Sequence, residues 1–152
     1  MGYHLVNAIL HSIVTVLFTF TAKVLTKKKF TSLVAGLLFA SHPIHTEAVA
    51  GVVGRADILA CLFFLLALLS YIRYCKYRDK HGTKDVQKML PSRWPSLFMM
   101  AVFTTASMLS KEQGVTVLAV CIMYDIFMQT KLTFGQLLHI YKVSFLNEIL
   151  LF

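Results

Sequence analysis

Four runs of apolar residues, His4 to Lys23, Asp57 to Tyr77, Pro95 to Ser110 and Gln113 to Met128, come near or reach the length needed to cross a bilayer. A hydrocarbon core of roughly 30 Å takes about 20 helical residues. A fifth, less regular run extends from Phe30 to Glu47. Its continuous apolar part stops at Ser41, and a helix of that length covers only about 18 Å. The stretch Ser41-His42-Pro43-Ile44-His45-Thr46-Glu47 must finish the crossing another way. Pro43 disfavours helical geometry at His42 yet suits the first turn of a new helix. The pattern therefore predicts a break near His42 and a short helix from about Pro43 to Val53 at the membrane boundary. Continued to Arg55, that helix would place Glu47, Gly51 and Arg55 four residues apart, with Ala48, Ala50, Gly51, Gly54 and Ala56 permitting close backbone approach.

The expected fold is all-α: a polytopic membrane helix bundle of about five spans over residues 1–135. Within it, the polar stretch Lys76 to Trp94, with His81-Gly82 and Pro91, reads as an exposed loop. Residues 136–152 read as an interfacial amphipathic helix or an interrupted further span. Composition agrees, with 57% hydrophobic and 14% charged residues against about a quarter charged in soluble domains.

Charge sets the sidedness. Thirteen of the 15 Lys and Arg residues lie at the end of or after the first, second and last of the four clear runs, and only Arg55 and Lys111 lie in the alternate connections. The positive-inside rule places the basic segments in the cytosol, and the two sparse connections with the amino terminus in a lumen. The net charge of +8 is thus accounted for without a nucleic-acid partner. The first run has no basic residue before it, the reverse of a signal peptide's order. Cys61, Cys75 and Cys121 are odd in number and set in apolar helices, as small core side chains would be.

Candidate chemistry gathers on the lumenal side. His4, Asn7 and His11 share one helical face, which either bonds other helices or faces a substrate. His42, His45, Glu47, Arg55 and Asp57 lie in one connection, and Lys111 with Glu112 in the other. Two cations among carboxylates suit a phosphate at a membrane surface. Were that phosphate a leaving group, Arg55 and Lys111 would stabilise the charge developing on it. His42, His45 or Glu47 would orient a sugar or an acceptor hydroxyl. A metal site is a weaker reading, because His42 and His45 flank Pro43 without an assured third ligand.

Four motifs carry a family resemblance: His4-Leu5-Val6-Asn7 through His11; Ser41-His42-Pro43-Ile44-His45-Thr46-Glu47-Ala48-Val49; Val53-Gly54-Arg55-Ala56-Asp57-Ile58-Leu59-Ala60; and Ser110-Lys111-Glu112-Gln113-Gly114-Val115-Thr116. In this order they resemble the membrane half of the transmembrane and tetratricopeptide-repeat (TMTC) family over roughly Tyr3 to Thr133. The resemblance implies a glycosyltransferase C-type fold in the endoplasmic reticulum membrane. It also implies transfer of mannose from dolichyl-phosphate mannose to Ser or Thr of cadherin-type domains, without a metal or other cofactor. In that fold class the acidic catalytic residues precede the helix that begins at His4, so the general base is expected upstream of this chain. The tetratricopeptide repeats are absent, and the chain is expected to be a fragment that is inactive alone. Two other classes compete: a non-catalytic membrane scaffold binding partner helices through its small-residue and polar faces, and a transporter. Polar groups clustered at one edge rather than the midplane disfavour the transporter.

Overall fold

The computed structural model describes residues 2–51, 53–81 and 86–129. All regular structure among them is helical: α1 (Gly2–Thr26), α2 (Lys29–Ser41), α3 (Ile44–Ala50), α4 (Arg55–His81), α5 (Val86–Ser110), a 3₁₀ turn at Glu112–Val115, α6 (Thr116–Tyr124) and a π-helical turn at Asp125–Gln129. The all-α expectation holds.

α1 ends where Lys27 adopts a left-handed φ of 57° and donates its N–H to the Lys23 carbonyl at 3.0 Å. That geometry closes a helix C-terminus. Chain reversal at Lys27 and Lys28 then lays α2 against α1, with Gly36 so close to Thr19 that a Cβ there would overlap the Thr19 Oγ1. α4 packs on both α1 and α5. Val14 of α1 meets Ile58 and Leu65 of α4 at the centre, flanked by Phe18, Phe39 and Leu62.

Burial mixes polar and apolar side chains. Asn7, Thr21, Ser32, Thr104 and Ser107 are buried beside Val14, Ile58, Leu65 and Ile72, whereas Val16, Leu37, Leu38 and Leu109 are exposed. Buried small polar contacts with large apolar side chains outside suit a hydrocarbon surrounding, where apolar burial drives no association. His4–Thr26 and Arg55–Asp79 are long and apolar enough to cross a membrane. Lys29–Ser41 and Trp94–Ser110 are apolar but shorter, and 13 residues of α2 rise only about 20 Å.

Three expectations change. The polar stretch from Lys76 to Trp94 is helical over most of its length: α4 continues to His81 and α5 begins at Val86, running through Pro91 and Pro95. Charged residues end an apolar span without ending a helix. The short helix closes at Ala50 rather than Val53, so Arg55 opens a new helix and the Glu47, Gly51, Arg55 face does not form. The run Gln113 to Met128 is not one uniform helix, because a 3₁₀ turn opens it and the π-helical turn follows Tyr124.

Met1–Val117 form one compact unit and Leu118–Phe152 another. In the second, α6 is completed and the π-helical turn follows. The amphipathic segment expected at 136–152 lies outside the described residues.

Candidate substrate-binding site

The break expected at His42 is present and shapes the site. His42 is extended, with φ −66° and ψ 126°, and its N–H caps α2 on the Phe39 carbonyl at 3.4 Å. Its Nδ1 then accepts from the Ile44 N–H at 3.3 Å, while the Thr46 hydroxyl donates to the Pro43 carbonyl at 2.6 Å. The first turn of α3 is thereby fixed after the break, and the His45 ring packs against His11 of α1 and Phe39 of α2.

At the far end of α3 the Gly51 N–H donates to the Glu47 carbonyl at 2.8 Å, and Gly51 turns extended. The chain passes so close beneath α3 that a Cβ on Gly54 would collide with the Ala48 backbone. Only glycine fits there. The turn is held from α1 by Asn7, which is fully buried. Its Nδ2 donates to the carbonyls of Val49 and Gly51 at 3.3 and 3.1 Å, and its Oδ1 accepts from Arg55 Nε at 3.1 Å.

These turns enclose a cavity of about 640 Å³ with three kinds of wall. Val14, Ile58 and Cys61 make an apolar floor. His11, Phe39 and His45 make a ring-lined side: the His45 ring lies 4.4 Å from Phe39 and 5.0 Å from His11, centroid to centroid. Glu47, Asp57 and Lys111 bring charge to the opening. Lys111 Nζ bonds Asp57 Oδ1, joining the start of α4 to the turn after α5, and both side chains remain nearly half exposed. Coulombic gain is modest for so solvated a pair.

His45 titrates below the ordinary imidazole value, first because it is partly buried and then because His11 and His42 stand beside it. Burial and neighbouring imidazoles both disfavour the charged form. A neutral ring offers one donor and one acceptor nitrogen to a hydroxyl-bearing ligand. Among the described residues no three His, Cys, Asp or Glu side chains are grouped to hold a metal ion.

Of the residues singled out in the sequence, His11, His45, Glu47, Asp57 and Lys111 line this one cavity. His42 stands beside it, its ring 6.1 Å from that of His45. Arg55 opens α4 between the lining residues Gly54 and Asp57, but its side chain is turned to Asn7. Glu112 and His4 are exposed and outside the lining. Phe39, which stacks on Phe18 at 4.4 Å, carries the ring wall and has no signal in the sequence beyond closing an apolar run.

The turn that presents Lys111 rests on a small-residue contact. The Ser107 hydroxyl, fully buried, donates to the Ala60 carbonyl at 2.9 Å, fastening α5 to α4. Gly114 lies against Ser107 and donates its N–H to the Lys111 carbonyl at 2.8 Å.

Three relatives define what the chain is similar to. It is 50% identical over 142 residues to protein O-mannosyl-transferase TMTC2 of Homo sapiens, covering 93% of this chain and 16% of that protein. It is 49% identical over 139 residues to protein O-mannosyl-transferase tmtc2 of Xenopus laevis, covering 91% and 16%. To protein O-mannosyl-transferase TMTC1 of Homo sapiens it is 48% identical over 128 residues, covering 82% and 14%. The chain thus spans about 16% of the length of the first curated relatives it matches. No protein-family model and no solved structure matches it.

Proposed function

Because the chain belongs to the TMTC family of protein O-mannosyltransferases, we propose that it contributes the donor side of a membrane-embedded mannosyltransferase site. The donor is a lipid-linked mannosyl phosphate, dolichyl-phosphate mannose, and the acceptor is a Ser or Thr hydroxyl of a cadherin-type domain in the lumen of the endoplasmic reticulum. The amino terminus faces that lumen.

One observation carries the proposal: the cavity combines a ring wall, two carboxylates and a lysine at one end of a bundle whose outer surface is apolar. Aromatic and imidazole faces pack on the C–H faces of a sugar while carboxylates accept from its hydroxyls. A lipid tail can lie along the exposed apolar helices. In the transfer, the acceptor oxygen bonds to the anomeric carbon, the carbon–oxygen bond to phosphate breaks, and the bonding pair leaves on the lipid phosphate. Lys111 at the opening and Arg55, two positions before the lining residue Asp57, stabilise that anion. Neutral His45 and Glu47 orient sugar or acceptor, and the acceptor's proton passes to a general base.

The small-residue contacts at Gly36, Gly54 and Gly114 are all made within the chain. The test is mannose transfer from dolichyl-phosphate mannose by the full-length protein in membranes. Arg55→Ala and Lys111→Gln should each lower donor kcat/KM while insertion is retained, and unchanged turnover in both would remove the donor assignment.

A further inference from the structure

Asn7 does more than close the α3–α4 turn. The orientation of its amide is settled by its neighbours, because two carbonyls require the NH₂ and a guanidinium N–H requires the oxygen. A single buried side chain on α1 therefore satisfies the end of α3 and holds the first residue of α4. The bond to Arg55 is made through Nε alone. Neither terminal guanidinium nitrogen has a partner among the described residues, although Arg55 is half-buried.

Guanidinium is planar, and fixing Nε fixes the plane and direction of the remaining fork. Two free parallel donors match two oxygens of one phosphate or carboxylate. Lys111 differs, being already committed to Asp57. Of the two cations, Lys111 lines the cavity, while Arg55 stands between the lining residues Gly54 and Asp57 and has its bidentate edge open.

We propose that Asn7 is a positioning residue that orients Arg55 through Nε so that its two terminal nitrogens take two oxygens of one anion, the phosphate of the lipid-linked donor. The proposal rests on the donor reading above and adds to it where specificity for the anion comes from. Asn7 touches neither substrate in this scheme, and it acts on the donor only through Arg55.

The experiment is a double-mutant cycle on the full-length protein in membranes, with dolichyl-phosphate mannose and an acceptor peptide varied separately. Arg55→Ala is expected to lower donor kcat/KM by about tenfold or more and Asn7→Ala by about three- to tenfold, with acceptor KM unchanged. In the Arg55→Ala background, Asn7→Ala should add little further loss, since a residue acting through another cannot act once that one is gone. Additive losses, or an equal rise in acceptor KM, would overturn the positioning role while leaving the donor reading intact. No effect of Arg55→Ala would remove Arg55 from the donor site and overturn the positioning role, and no effect of Lys111→Gln besides would sink the donor reading itself. Arg55→Lys decides the matter if Asn7→Ala does not accumulate: lysine keeps the charge but has no fork. A donor kcat/KM as low as that of Arg55→Ala supports an oriented fork, and a wild-type value refutes it.

Discussion

Replacing Gly114 by alanine should unfasten the turn that carries Lys111. A Cβ on Gly114 would lie 2.6 Å from the Ser107 carbonyl oxygen and 2.5 Å from its hydroxyl, and would also overlap the Ser107 carbonyl carbon. Ordinary carbon–oxygen approaches are about 3.3–3.6 Å, so backbone must move by most of an ångström. Overpacking of this kind costs about 1–3 kcal/mol, and contact with backbone rather than a flexible side chain puts Gly114→Ala near about 3 kcal/mol. Ser107→Ala, by contrast, removes only the 2.9 Å bond to the Ala60 carbonyl, and such bonds between membrane helices average about 0.6 kcal/mol. Thermal unfolding of the detergent-solubilised protein should therefore rank wild type above Ser107→Ala, with Gly114→Ala far below both. Adding Ser107→Gly to Gly114→Ala should rescue only in part, since it deletes the hydroxyl and leaves the carbonyl. Full rescue, or a Gly114→Ala protein as stable as wild type, would refute the backbone-contact argument.

Other consequences can be measured alongside it. Gly54→Ala should destabilise by about 1–3 kcal/mol in the same assay, because the added Cβ meets the Ala48 backbone. Asp57→Asn should release Lys111 from its counterion and lower the donor KM, whereas Lys111→Gln should raise it. A donor KM that moves the same way in both would show that the pair acts as a unit. The lowered His45 pKa means that the unfolded chain binds a proton more readily than the folded one. His45 therefore destabilises the fold as pH falls below about 6.5, and not above it. Melting temperature should drop on acidification, less steeply in His45→Gln, and an identical pH profile would show that the imidazole cluster does not set it.

Much of the site was legible along the chain. The Ser41-to-Glu47 run announced the break at His42, since a proline placed after a short apolar run does not extend that helix and suits the start of the next, where Pro43 caps α3. Residue types alone gathered ten candidates, of which His11, His45, Glu47, Asp57 and Lys111 line one cavity, whereas His4, Asn7, His42, Arg55 and Glu112 are outside its lining. The reach of helix through the polar stretch after α4 was not legible, because charge marks the edge of a membrane and not the end of hydrogen bonding along a helix. Phe39 was likewise invisible as a wall, looking in sequence like any other apolar residue.

What the order of residues determined by itself was helical class, the apolar runs and the asymmetry of basic charge, all properties that local periodicity and composition carry. Tertiary structure alone decided how the polar groups divide. Asp57 and Arg55 are two positions apart at the start of α4, so they leave it on different sides: one meets Lys111 from the turn after α5, and the other meets Asn7 of α1. Which partner each finds depends on which helices flank α4, and contacts across 48 and 54 positions of chain have no counterpart in local spacing.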